Sequence, residues 1–275
     1  MTSQEREGWD PLRVMSYNVR YPSQGSGKHA WDNRREPVTT TIRFHRPDVV
    51  GLQEAHRSQV DDFRTGLPGF EWLDAGRAGP DTYGDHPALG FRSERFTLEV
   101  DGSFWLSETP DAPGRGWDAA LSRKVRFVRL RDEVADRSLY HFNTHFDHRG
   151  VTARRESALL LRQRIHEIAA GSPVVVTGDL NCRPGTEPYR LLTDDSAADG
   201  RPLRDTAAIA TLPPHGPATS MTTFTNLVPE KKIDYVFVDP ETAATQHGIC
   251  SDTYENGRYP SDHLPVLADV VPDDA

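Results

Sequence analysis

Several short stretches of this 275-residue chain put acids, amides and histidines at the ends of apolar runs, where a strand would hand a polar group to a site. In VVVTGDLNCRPGT, Val174–Thr186, a β-branched run ends in Asp179 and Asn181 before a proline-glycine turn. Side chains alternate along a strand, so Val175, Thr177, Asp179 and Asn181 share one side if the strand persists through them. Asp and Asn are also turn formers, and taken alone this stretch reads equally well as a turn. The arrangement recurs, however. Arg13–Val19 carries Asn18 on the face of Val14 and Ser16, Asp48–Glu54 carries Glu54 on the face of Val50 and Leu52, and Leu139–Phe146 carries His145 with Asn143 and His141. Asp234 sits in the apolar run KKIDYVFVD, and Asp262 and His263 precede the last strand. A carboxylate inside such a strand is costly unless paired. His263 is a suitable partner for Asp234, because a carboxylate holds a histidine's tautomer and raises its basicity.

Oxygen-bearing groups such as Asn18 and Glu54, without a nearby cysteine or close pair of histidines, suit a hard cation, Mg²⁺ or Mn²⁺, better than Zn²⁺. A phosphoester needs such a cation to neutralise charge on its oxygens, and a group that positions or deprotonates water. The residue types here meet both needs.

The elements that must position these groups are legible as strand-like runs. They are Arg13–Val19, Asp48–Glu54, Ala88–Arg92, Phe96–Phe104, Lys124–Arg131, Leu139–Phe146, Val174–Thr177, Ile233–Val238 and Val266–Val271. Helices are expected at Arg34–His45, stopped by Pro47, at Ser58–Thr65, and at Thr152–Ala170, where Ala158, Leu161, Ile165 and Ile168 mark one face before Gly171. Strands outnumber helices and helices fall between them, which suggests two packed sheets with helices outside. No repeat or low-complexity linker divides the chain, so one domain over residues 12–272, after a polar tail at 1–11, is the simplest organisation.

The formal charge of -9 argues against a large basic field as the main source of affinity, although a local basic cleft is compatible with it. Arginine, which far outnumbers lysine, provides fork-like contacts to phosphate. Cys182 and Cys250 are too few and too far apart in sequence to read as a disulfide framework or zinc knuckle. No apolar run approaches the roughly 20 residues of a membrane span, and the N-terminus shows no basic start followed by an apolar stretch. The expectation is a protein without a membrane partner, cytoplasmic by default.

The blocks VMSYNVR, PDVVGLQEA, FNTHFDHRG, VVVTGDLNCRP, KIDYVFVD and SDHLPV, in this order from Val14 to Val266, resemble the exonuclease/endonuclease/phosphatase superfamily of metal-dependent phosphoesterases. That group includes pancreatic-type deoxyribonuclease, apurinic/apyrimidinic endonucleases, inositol polyphosphate 5-phosphatases, neutral sphingomyelinases and deadenylase-like enzymes. The resemblance implies a four-layer α/β/β/α sandwich of two packed, mostly antiparallel sheets with the site at one edge. It implies a metal site at Asn18 and Glu54, Glu54 being the principal ligand, with Asp262 near the metal. It further implies that Asp179 orients or activates the attacking water, that Asn181 holds the scissile phosphate, that His263 is an essential histidine partnered by Asp234, and that His145 stabilises the phosphate or assists the leaving group. Asp85 stands where some relatives carry a glutamate that pairs with the histidine matched by His145; here it reads either as that partner or as a turn residue.

The segment Phe104–Lys124, with its WLSETP and GWDAA stretches, resembles a bacterial branch of the superfamily whose activities are poorly defined. Trp105 and Trp117 are candidates for stacking on a flat ligand, or for packing this long connection onto the domain, the expected role for at least one of them. Arg149 is a candidate phosphate contact, and WDNRREP is expected to hold a helix start against the sheet. The leading expectation is hydrolysis of a small organic or nucleotide-like phosphate ester with Mg²⁺ or Mn²⁺. A nuclease acting on DNA or RNA comes second, and a catalytically silent binding protein last, because all the expected catalytic groups are present.

Overall fold

Runs rich in valine, leucine and phenylalanine organise the chain into two six-stranded sheets, described for residues 11–74 and 87–272 of this computed structural model. The first sheet comprises β1 (Leu12–Asn18), β2 (Val49–Gln53), β3 (Phe70–Leu73), β4 (Ala88–Arg92), β11 (Ala243–Ile249) and β12 (Val266–Val271), ordered β11-β12-β1-β2-β4-β3. The second comprises β5 (Phe96–Trp105), β6 (Lys124–Asp132), β7 (Arg137–His145), β8 (Val174–Asp179), β9 (Arg204–Asp205) and β10 (Asp234–Val238), ordered β5-β6-β7-β8-β10-β9. β1 with β2 and β7 with β8 are parallel, and the other pairings are antiparallel.

Helices α1 (Trp31–His45) and α2 (Arg57–Gly66) cover the outer face of the first sheet, where Val38, Ile42, Val60 and Phe63 pack with Met15, Tyr17, Val50 and Leu52. On the second sheet, α3 (Val151–Ala169) and α4 (Glu187–Thr193) bury Leu161, Ile165 and Leu192 against Phe142, Val176 and Phe237. A short α5 (Thr206–Ile209) follows β9. Between the sheets lies a third apolar cluster, including Val14, Val49, Leu130, Val175 and Val236. Each fully buried Leu, Ile, Val or Phe contributes about 1.5–3 kcal/mol to holding these layers together.

The inter-sheet space turns polar toward the C-terminal ends of β1, β2, β7 and β8. Asn143 of β7 donates from Nδ2 to the carbonyls of Leu52 (2.8 Å) and Ala88 (2.9 Å), crossing from one sheet to the other. Its Oδ1 accepts from Gln53 Nε2 (2.7 Å) and Thr177 Oγ1 (3.1 Å), and Thr177 also meets His141 Nε2 at 2.8 Å. All six residues are buried, and a buried amide left without such partners costs about 1–3 kcal/mol. Gly51 faces this crossing because nothing larger fits: a Cβ there would lie 1.9 Å from Thr177 Oγ1.

The observed elements follow the expected ones closely, with informative departures. The run at Val174 continues as strand through Asp179, because it pairs with β7 up to His145 and with β10 at Asp234. β3 and β11 are strands without a strong sequence pattern. β11, AATQHGI, mixes polar and apolar residues at a sheet edge and has a register shift between Ala244 and Gln246.

Candidate active site

β1, β2, β7, β8 and β10 bring their polar groups to one end of the inter-sheet space. Asn18, His145, Asp179 and Asp234 stand on the inner faces, as alternation requires. Glu54 and Asn181 arrive differently. Both lie just past their strands with left-handed backbones, φ 60° and 47° respectively. Without that turn Glu54 would follow Val50 and Leu52 toward the helices. Arg20, two residues past β1, is left-handed as well, at φ 59°. Such a conformation costs a non-glycine residue about 1–2 kcal/mol, so three strand ends share one strained feature around one cavity.

Asp179 is the hub. Its Oδ1 accepts from the Asn181 backbone N–H (2.9 Å), fixing the turn, and its Oδ2 accepts from Asn18 Nδ2 (3.1 Å). The same Oδ2 lies 3.4 Å from His145 Nε2 and 3.8 Å from His263 Nδ1. Asn181 donates from Nδ2 to the Phe146 carbonyl (3.0 Å) and contacts His145 Nε2 at 3.0 Å.

His263 and Asp234 form a buried pair, with Nδ1 2.9 and 3.2 Å from the two carboxylate oxygens. Ser220 Oγ also donates to Asp234, at 2.6 Å. Burial opposes charge on His263, but Asp234, by its charge and hydrogen bond, and then Asp179 outweigh it and lift the imidazole to about 10. Burial pushes the Asp234 carboxyl upward, opposed by the charge and hydrogen bond of His263 and the hydroxyl of Ser220. The proton of this pair belongs on His263, flanked by two acids. Asp179, Asp234 and His263 offer ligand atoms within 4.8 Å of one another, a group that includes an imidazole nitrogen beside its carboxylate oxygens.

The oxygen donors near Glu54 fit a hard metal ion better. Glu54 accepts from Asn18 Nδ2 (3.1 Å) at Oε1 and from the Tyr21 backbone N–H (2.8 Å) at Oε2, and it lines the cavity. A carboxylate held from behind at both oxygens and open to a cleft is suited to Mg²⁺ or Mn²⁺. Asn18 Oδ1 accepts from the Arg20 backbone N–H (2.9 Å) and its amide donates to Glu54 and Asp179, so beside the metal role the resemblance implies, Asn18 joins the two acids.

Asp262 is not brought into this group, because it forms an ion pair with Arg20. Arg149 is exposed and serves through its backbone N–H, which donates to Asp147. Trp105 lies beneath Lys124, whose Nζ is 5.2 Å from the ring centre, and Trp117 turns its backbone N–H to Glu108. None of these three residues lines the cavity; from the same connection it is Leu121 and Arg123 that do. Asp85 lies outside the described residues.

The cavity, about 480 Å³, is walled by Glu54, His145, Asp179, Asn181 and His263 together with Tyr21, Arg123, His148 and Lys231. Tyr21 follows the VMSYNVR block and Lys231 opens KKIDYVFVD, but neither is singled out by the sequence, and both reach the cavity through tertiary packing. The expectation that WDNRREP anchors a helix start is met by Arg34. Fully buried, it donates to the carbonyls of Val19 (3.1 Å) and Pro260 (2.9 Å), joining the end of β1 to the loop that carries His263.

This fold and this constellation are those of a class of phosphoester hydrolases. The chain belongs to the Endonuclease/Exonuclease/phosphatase family, whose profile matches residues 15–263. It is similar to a solved family protein from Bacteroides vulgatus (31% identity, TM-score 0.87, covering 96% of this chain and 100% of the other). It is also similar to the mannosyl-6-phosphatase Bt3783 of Bacteroides thetaiotaomicron (30% identity, TM-score 0.85, covering 94% and 99%). A curated relative, the CCR4-Not complex 3'-5'-exoribonuclease subunit Ccr4 of Emericella nidulans, is 21% identical over 358 residues, covering 94% of this chain and 52% of that protein. The chain spans about two thirds or less of the length of the curated relatives it matches. Among the described residues no helix is long and apolar enough to cross a membrane.

Proposed function

We propose that the protein is a Mg²⁺- or Mn²⁺-dependent phosphomonoesterase acting on a small phosphorylated organic substrate, with a sugar phosphate as the first candidate. The observation that carries this reading is the cavity itself: a concave space of about 480 Å³, the size of small-molecule sites, with Asp179, His145, Asn181 and His263 converging on it. Support also comes from the similarity to a mannosyl-6-phosphatase over nearly both chains. The reading takes residues 12–272 as one catalytic unit.

Glu54 would hold the metal ion, which when bound neutralises charge on the phosphoryl oxygens. Asp179 orients a water in line with the ester bond and receives its proton, while the bond from phosphorus to the leaving oxygen breaks and that oxygen takes a proton from solvent. His263, kept cationic by Asp234, donates to a phosphoryl oxygen, and Asn181 with His145 holds a second. Asn18 keeps the two acids in register.

A nuclease is the second reading, favoured by the similarity to an exoribonuclease subunit. The deciding experiment measures phosphate release from monoesters, diesters and nucleotides with Mg²⁺ or Mn²⁺, beside plasmid and RNA degradation, with Asp179→Ala as control. Release from small monoesters that disappears in the control supports the proposal. Cleavage of polymer alone rejects it in favour of the nuclease.

A further inference from the structure

The catalytic cavity opens onto a larger one. Asn181, Lys231 and Ile233 wall both it and a second space of about 580 Å³, which runs between the start of α3 and the loop before α4. A third space, about 440 Å³, shares Arg183, Thr186 and Glu230 with the second. The three make a trough that begins at the proposed phosphate position and leads away on one side.

The lining of the trough decides what suits it. Arg154, Arg183, Lys231, Glu187 and Glu230 all line the second cavity, so charges of both signs are interspersed there. A nucleic acid, with one charge per nucleotide, is held by an excess of cations and by aromatic rings on which bases stack. No phenylalanine, tyrosine or tryptophan lines the second or third cavity among the described residues. A chain of hydroxyls fits better: it accepts from arginine and lysine, donates to glutamate, and lays its C–H faces on Val151 and Pro188. Val151 is a large apolar residue left 67% exposed at this wall.

We propose that the preferred substrate is a phosphate carried at the end of an oligosaccharide, with the sugar beyond the phosphorylated unit occupying the second cavity. This rests on the phosphomonoesterase reading and extends it. A free monosaccharide phosphate fills only the first cavity and forgoes the contacts of the second.

The test compares kcat/KM for hexose 6-phosphates with that for α- and β-linked di- and trisaccharides carrying one terminal 6-phosphate. At least one oligosaccharide should exceed its monosaccharide by about tenfold or more, a factor that modest contacts supply. Val151→Trp, which fills the second cavity from an exposed position, and Arg183→Glu should each bring the oligosaccharide down to the monosaccharide's level while leaving the monosaccharide unchanged. Equal or better turnover of the monosaccharide overturns the extension but leaves the phosphomonoesterase reading intact, as does an equal effect of the variants on both substrates. Preference for 5'-phosphorylated RNA overturns the glycan assignment, and polymer cleavage without release from any monoester overturns both readings.

Discussion

At the scale of single residues the site is a small set of charges whose positions are over-determined. His263 is held between Asp234 and Asp179, both of which favour its cationic form. His263→Ala should lower kcat by at least about a hundredfold in a metal-dependent phosphate-release assay, the scale of losing a positioned acid, base or charge-stabilising group. A near-normal rate would remove His263 from the mechanism. Glu54→Gln keeps the shape but removes the charge proposed to hold the metal. It should shift the Mg²⁺ concentration for half-maximal activity upward by about tenfold or more, and unchanged metal dependence would place the metal elsewhere.

At the scale of elements, the site depends on two sheets keeping register across their polar end. Asn143 ties β7 to β2 and β4, and Gly51 lets Thr177 approach. Gly51→Ala should therefore destabilise the fold by about 1–3 kcal/mol in urea unfolding, the usual cost of overpacking, and lower kcat by moving Glu54 relative to Asp179. Wild-type stability in that variant would mean that the sheets separate more easily than the close approach of Gly51 to Thr177 implies. Beneath the same crossing, burial lowers the His141 pKa from 6.5 to about 3. The unfolded chain binds the proton first, so the buried neutral ring contributes stability above pH 6.5 that is lost as pH falls from 6.5 toward 3. His141→Gln should flatten the fall of melting temperature across that window, and an unaltered slope would show that other groups set it.

At the scale of the whole molecule, a formal charge of -9 surrounds a site that handles phosphate. Under the proposed function, phosphate recognition falls to the cations Arg123 and Lys231 at the cavity, not to a long-range field. Raising salt from about 50 to 200 mM should change kcat/KM for a small monoester less than about threefold, whereas a protein making 6–10 phosphate contacts to DNA loses about 10³ or more in affinity over that range. A steep salt dependence on the monoester would mean that the acidic surface repels substrate strongly enough to matter.

The sequence by itself determined the layers and the nature of the chemistry, because both rest on local signals. Apolar, strand-like runs announced nine of the strands, within a few residues at each end, and polar groups in or at the ends of those runs announced Asn18, His145, Asp179 and Asp234. Only the tertiary structure decided the rest. Glu54 reaches the cavity through a left-handed turn that alternation does not foresee, and Asn181, expected beside Asp179, is carried there past the end of its strand by a left-handed turn of its own. Asn18 bridges Glu54 and Asp179, and Asp262 pairs with Arg20, two partnerships between distant segments that no local pattern announces. The tryptophans of the Phe104–Lys124 connection pack elsewhere while Leu121 and Arg123 reach the cavity. Tyr21 and Lys231 meet there from segments about 210 residues apart, a proximity that no local pattern encodes because it comes from closing one sheet over the other.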